Sequence, residues 1–155
     1  VGTGGKVCVF SLAETDLVVD VNGYVPAGGS VASVVPARLL ESRPGPGNAT
    51  VDGEFFGFGR VAAMSVTEVK VTDRGGVSPD AAAVMLNVTA VGPSAAGFLT
   101  VFPCGESVPL ASNVNYVAGD AVPNAVLAKV GTGGKVCVFS LAETDLVVDV
   151  NGYVP

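Results

Sequence analysis

The residues with the clearest chemical potential are three cysteines, Cys8, Cys104 and Cys137, in a chain of 155 residues that contains no histidine. Without an imidazole group, a histidine-based catalytic triad, a histidine zinc site and a histidine haem ligand are excluded. The cysteines do not form a Cys-X-X-Cys pair, so their spacing favours a structural disulfide over a metal site. An odd count leaves one thiol to be explained.

An internal repeat explains the odd cysteine. Residues 1–26 and residues 130–155 have the same sequence, VGTGGKVCVFSLAETDLVVDVNGYVP, so that residue n corresponds to residue n + 129. Cys8 is therefore the copy of Cys137, and one repeat period contains the even pair Cys104 and Cys137. We expect these two to be bonded to each other, with Cys8 unpaired or paired between units. This favours an oxidising, extracellular or cell-surface location, and two buried thiols in a cytosolic protein are the alternative.

Two groups of charged or amide side chains are candidate binding residues. Glu41 and Arg43 lie two residues apart, which on a strand predicts a surface ion pair worth under about 1 kcal/mol. The pair is expected to clamp the end of a strand, and recognition of a carboxylate or sugar by Arg43 is the alternative. Asp145, Asp149 and Asn151 share a strand face and offer oxygen ligands for Ca²⁺. That set is small and lacks the looped spacing of a calcium motif, so we expect a solvated face and no metal.

Other catalytic signatures are missing from the sequence. No serine has a histidine to activate it, there is no Gly-X-Ser-X-Gly elbow, and the glycine runs at 2–5 and 131–134 lack the Lys-Ser/Thr ending of a P-loop. A net charge of −6 with only eight Lys and Arg residues argues against a nucleic-acid partner. We therefore predict that the protein is not an enzyme and uses no cofactor.

Short runs with alternating valines, bounded by Gly, Pro, Asn and Asp, predict an all-β fold. The predicted strands cover residues 38–42, 65–72, 83–91, 97–102, 112–117, 124–130, 135–140 and 145–153. This number of strands favours an antiparallel β-sandwich, either immunoglobulin-like or jelly-roll. A β-trefoil is the alternative, although no threefold pattern is present. The longest apolar stretch, residues 81–91, is too short to cross a membrane.

Residues 48–60 differ from the rest because Phe55, Phe56 and Phe58 stand among glycines. We expect a long loop whose aromatic rings either plug one end of the sandwich or remain exposed for a contact.

The repeat also predicts the domain boundaries. Residues 1–26 would be the last strands of a preceding copy, residues 27–35 a linker rich in Gly, Ser and Ala, and residues 36–155 one complete β domain. A cloning artefact that duplicated one end is the alternative.

Several motifs in this unit resemble a secreted tandem-repeat β module that is common in actinobacterial extracellular proteins. They are PARLLESRPGPG (36–47), LNVTAV (86–91), GFLTVFPCG (97–105), ASNVNY (111–116), VPNAVLAKVG (122–131), GKVCVFS (134–140) and TDLVVDVNGY (144–153). The resemblance covers essentially the whole 129-residue period, with Glu41-Ser42-Arg43 where the family usually has Asp-Thr-Arg. It implies an extracellular module without catalytic activity, found in tandem or attached to wall enzymes.

Together these features predict a structural repeat of a secreted or surface array, which forms a fibre, stalk or spacer through β contacts between copies. Residues 1–26 would then complete a neighbouring unit, either along the chain or by strand exchange between chains. The alternative is a module that binds glycan or cell-wall polymer through Arg43 and the three phenylalanines.

Overall fold

The computed structural model describes residues 3–17 and 19–155. Two four-stranded antiparallel sheets pack against each other as a β-sandwich, which confirms the predicted fold class and not the β-trefoil alternative. The strands are β1 (Ala32–Glu41), β2 (Ser65–Lys70), β3 (Ala83–Val91), β4 (Gly97–Pro103), β5 (Val114–Tyr116), β6 (Ala121–Lys129), β7 (Lys135–Ser140) and β8 (Asp145–Val154).

The strand order places the last two strands in the interior of different sheets. One sheet has the order β1-β8-β3-β6, and the other has the order β2-β7-β4-β5. The chain crosses between the sheets at every connection except that between β4 and β5. The repeated sequence that contains β7 and β8 is therefore not a hairpin, and each of its strands needs neighbours on both sides.

The core lies between the sheets and follows the alternation seen in the sequence. Along β8, Leu146, Val148 and Val150 point into the core, while Asp149 is only half-buried on the outer face. Alternate residues of β3 pack opposite them, because successive side chains of a strand point to opposite faces. The buried residues of β3 are Val84, Leu86, Val88 and Ala90.

The first strand begins earlier than the sequence predicts. Ala32 pairs with Tyr153 and Ser33 pairs with Gly152, so part of the predicted 27–35 linker belongs to the sandwich. The strand therefore begins four residues before the predicted boundary at residue 36. The register shifts between Ser33 and Ala37, around Pro36, whose missing N–H interrupts the ladder and makes this end of the strand hard to recognise.

Among the described residues, no helix has the length and apolar character needed to cross a membrane.

Candidate functional site

The predicted disulfide is present. Cys104 follows β4 and Cys137 lies on β7, with a Cα–Cα distance of 5.0 Å that suits a disulfide bond. The bond lies on the outer face of the second sheet, where Phe102 and Phe139 pack against it. Cys8 is free and exposed.

The described residues form one cluster of potential metal ligands, and this cluster includes both cysteines of the disulfide. Ligand atoms of Glu68, Cys104 and Cys137 lie within 4.8 Å of one another. A cysteine binds a metal as its thiolate, and here both sulfurs are used in the bond between them. This cluster is therefore a disulfide with a neighbouring carboxylate.

The two copies of the repeated sequence have different environments. We call residues 1–26 the first copy and residues 130–155 the second copy. In the first copy Val7, Val9, Leu17, Val19 and Val21 are 58–86% exposed. Their counterparts in the second copy, Val136, Val138, Leu146, Val148 and Val150, are 0–1% exposed. The same apolar pattern thus fills a core in one place and faces solvent in the other.

The described residues of the first copy form a 3₁₀ turn at Thr3–Gly5 and no strand. Neither residues 7–10 nor the described residues of 17–21 pair with a strand of their own chain, so the strand pairing expected for this copy is not found there. The reason is that the second copy already occupies the interior positions between β1 and β3 and between β2 and β4.

Glu41, which was expected in a surface pair, is fully buried at the end of β1. Its carboxylate accepts hydrogen bonds from Arg43 Nε at 2.7 Å and Nη2 at 2.8 Å, and from Arg38 Nη1 at 2.8 Å. Arg38 also donates from Nε to Asp149 Oδ1 at 2.9 Å. The expectation of a weak surface pair is wrong, because the third member, Arg38, joins β1 to β8 and completes a network over a buried carboxylate.

Competing effects set the pKa of the Glu41 carboxyl. Burial by itself raises this pKa, but the hydrogen bonds from Arg43 and the positive charges of Arg43 and Arg38 outweigh burial and lower it. Glu41 is therefore held as a carboxylate that fixes both arginines.

The acidic residues considered for calcium are engaged by other groups. Asp145 Oδ1 accepts a hydrogen bond from Ser42 Oγ at 2.9 Å, and Asp145 Oδ2 lies 3.3 Å from Arg60 Nη1. Asp149 is bound by Arg38, as described above. Asn151 is exposed at the far end of the same strand.

In the loop at residues 48–60, one aromatic ring packs against the sandwich and two rings are exposed. Phe55 packs against the main core, and the Arg74 guanidinium lies 4.9 Å from its ring centroid. Phe56 and Phe58 are exposed, and their segment runs beside Glu41 and Ser42 through backbone hydrogen bonds. The plug is therefore one ring, while the other two remain available for a contact.

Arg74 holds this loop against the sandwich and was not identified from the sequence. It is almost fully buried, and it donates from Nε to Asp52 Oδ2 at 2.6 Å and from Nη1 to the Lys70 carbonyl at 2.8 Å. The hydrogen bond from Arg74 lowers the pKa of Asp52 to about 2. The sequence placed Arg74 in a Gly-rich turn, which gave no sign that the residue is buried.

A shallow groove of about 420 Å³ lies on the outer face of the first sheet. Arg43, Arg38, Asn87 and Asp149 line it. Asn87 is half-buried, and its side chain forms no hydrogen bond with another described residue. Asp149, Asn87 and Arg38 lie side by side because they share one register row across three strands.

Comparison of the chain with models of known protein families, with curated proteins and with solved structures found no match.

Proposed function

We propose that the protein is a structural repeat of a secreted or surface tandem array, in which adjoining copies build a fibre, stalk or spacer. The observation that carries the proposal is the contrast between the two copies. The first copy has the residues of two interior strands but lacks the remaining strands of a sandwich around it. A preceding repeat would supply those strands and bury the five exposed apolar side chains named above.

A covalent array accounts for the first copy better than strand exchange between chains. In exchange, the first copy of one chain would have to displace the second copy of another. The two sequences are identical, so displacement would bring no new contact while two interior strands were removed and replaced. A preceding repeat on the same chain requires no displacement.

The extracellular location rests on the buried Cys104–Cys137 bond, since disulfides of this kind persist mainly in oxidising compartments. Fractionation of the source cells, followed by thiol labelling, tests this part. We expect the protein in the extracellular or surface fraction, with Cys104 and Cys137 unlabelled. A cytosolic protein with both thiols labelled would contradict the location.

Trypsin provides the test of the repeat itself, because Lys6 and Lys135 occupy the same sequence in the two copies. In the 155-residue chain, we expect cleavage after Lys6, whose segment is exposed, and protection after Lys135, which begins an interior strand. In a longer chain with a further copy of residues 27–129 placed before Val1, both sites should be protected. Persistent cleavage after Lys6 in the longer chain would overturn the proposal.

The native protein answers the question of a cloning artefact. Peptide sequencing of native material should recover fragments that join the repeated sequence to residues on both sides, and electron microscopy should show a regular unit. A native chain with a single copy of the 26-residue sequence would leave the artefact as the explanation.

The groove around Asn87 favours a second candidate function, which is binding of glycan or wall polymer. Arg, Asp and Asn side chains held side by side on a sheet are suited to hydroxyl groups, and Asn87 has free hydrogen-bonding groups. Co-sedimentation with isolated cell wall tests this candidate. Asn87→Ala should abolish binding and Asn115→Ala, on the other sheet, should preserve it, whereas equal sedimentation of both variants would contradict it.

A further inference from the structure

Part of the first copy lies against the edge of the sandwich formed by β5 and β6. The backbone N–H of Ser112 donates to Asp20 Oδ2 at 3.3 Å, and Asn113 Nδ2 donates to Asn22 Oδ1 at 2.6 Å. Next along the chain, a Cβ added to Gly23 would lie 3.2 Å from Leu127 Cδ2 on β6. Three residues of the first copy therefore lie against this edge, two at the residues that lead into β5 and one at β6.

The contacts use only one side of the first copy. Asp20 and Asn22 face the sandwich, whereas Leu17, Val19 and Val21 face solvent. The second copy has the same alternation, with its apolar residues in the core and the counterparts of Asp20 and Asn22 on the outside. The side of the first copy that contacts the β5–β6 edge therefore corresponds to the outer side of β8. The apolar side of the first copy remains exposed and can pack in the core of another sandwich.

Asn113 is oriented to receive this segment. The residue is 6% exposed, and its Oδ1 accepts a hydrogen bond from the Val101 N–H at 2.6 Å. The backbone carbonyl of Asn113 accepts a hydrogen bond from Asn124 Nδ2 at 2.6 Å, which links β6 to Asn113. With Oδ1 occupied, the side-chain NH₂ points towards Asn22, and removal of the acceptor would leave a nearly buried donor unpaired.

We infer that these contacts form the junction between successive repeats: the outer side of β8 in one copy docks on the β5–β6 edge of the next. This inference rests on the proposed tandem array. A complete repeat can make the two hydrogen bonds, because its Asn151 is exposed and its Asp149 carboxylate can accept another hydrogen bond in addition to those from Arg38. The approach to Leu127 has no counterpart, because Gly152 is buried against Ala32 of β1. The junction would also cover two sheet edges that are otherwise open to pairing.

The connection between copies is short enough to hold the junction in place. Gly29 N–H donates to the Pro26 carbonyl at 2.9 Å in a tight turn, and β1 begins at Ala32. The partner recognised by the β5–β6 edge is therefore the adjoining copy of the same sequence, bound mainly through amide and carboxylate groups.

The test uses the 155-residue chain and its built-in control, since Asn22 and Asn151 are the same residue in the two copies. Nuclear magnetic resonance would follow the Asn113 side-chain amide and the exchange of the Ser112 N–H. Asn22→Ala should shift the Asn113 resonance, because it removes the acceptor of that amide. Asp20→Ala should speed Ser112 exchange by about fivefold, as expected for loss of the hydrogen bond that this N–H donates. Asn151→Ala should change neither. No response to Asn22→Ala, or an equal response to Asn22→Ala and Asn151→Ala, would overturn the junction.

This result and the trypsin result can be told apart. If the first copy is protected in the longer chain but Asn22→Ala has no effect, the junction is wrong and the array stands. If Asn22→Ala has its effect but the longer chain leaves Lys6 cleavable, the array is wrong, and the junction between repeats falls with it.

Discussion

At the scale of single residues, buried charge distinguishes this sandwich from a purely apolar one. Glu41 is fully buried and Arg74 almost so, and each is matched by charged partners. Such a group stabilises a fold only while its partners are in place, since an unpaired charge in the interior is costly. The two networks should therefore be sensitive to changes that alter charge but hardly alter shape.

Glu41→Gln tests the first network. The amide keeps the size of the side chain but removes the charge that binds Arg38 and Arg43, so we expect the free energy of unfolding to fall by about 2–3 kcal/mol. Urea denaturation measures the change. Glu106→Gln, at an exposed position, should have almost no effect. Equal stability of the two variants would mean that the network contributes little.

Acid should weaken the second network, in which Arg74 pairs with Asp52. Asp52 has a pKa of about 2 in the folded protein, below its ordinary value of 3.8. Because the folded pKa is lowered, its contribution to stability is present above about pH 4 and is lost as the pH falls towards 2.

Comparison of the native chain with Asp52→Asn at a series of pH values measures this contribution. The native chain should be the more stable above pH 4, and the difference should shrink as the pH is lowered. A difference that stays constant from pH 5 to pH 2 would contradict the assignment to Asp52.

At the scale of elements, the alternation of valines was enough to locate all eight strands. Residues 83–91 and 135–140 were predicted with the bounds that the structure has. The start of β1 was missed because its residues resemble a linker. The placement of β7 and β8 in different sheets was missed because the sequence of a strand does not indicate which strands it pairs with. Arg38 was also missed, since its partner Asp149 lies 111 residues away.

The disulfide belongs to this scale because it joins the end of β4 to β7. It closes a loop with a sequence separation of 33 residues, and its loss should reduce stability by about 3–4 kcal/mol in the chain-entropy model. Denaturation of the double variant Cys104→Ser, Cys137→Ser measures this loss. Cys8→Ser is the matched control, because its thiol is free and exposed, and it should leave stability unchanged. Equal losses in the two variants would contradict this role.

At the scale of the whole molecule, the same 26-residue sequence occurs in two different environments. Leu17 and Leu146 are the same residue of the repeat, but only Leu146 is in the core. Leu146→Ala should lower the free energy of unfolding by about 2–5 kcal/mol, and Leu17→Ala should change it by less than about 0.5 kcal/mol. Thermal or urea denaturation of the two variants gives the comparison.

The same pair should behave differently once a preceding repeat is present. In the longer chain described above, Leu17→Ala should cost about as much as Leu146→Ala, because both leucines would then lie in a core. If Leu17→Ala still costs nothing there, the first copy is not part of a sandwich.

The repeated sequence separates what local sequence determines from what requires the tertiary structure. Thr-Gly-Gly forms a 3₁₀ turn in both copies, with Gly4 at φ 70°, ψ 21° and Gly133 at φ 71°, ψ 17°. A turn of this kind depends on neighbouring residues and on the freedom of glycine to adopt positive φ, so the sequence by itself determined it. Among the residues that the structure describes, the sequence of β7 and β8 forms strands in the second copy only. A strand needs hydrogen-bonding partners on its edges and a core for its apolar side, and these are supplied by residues far away in the chain.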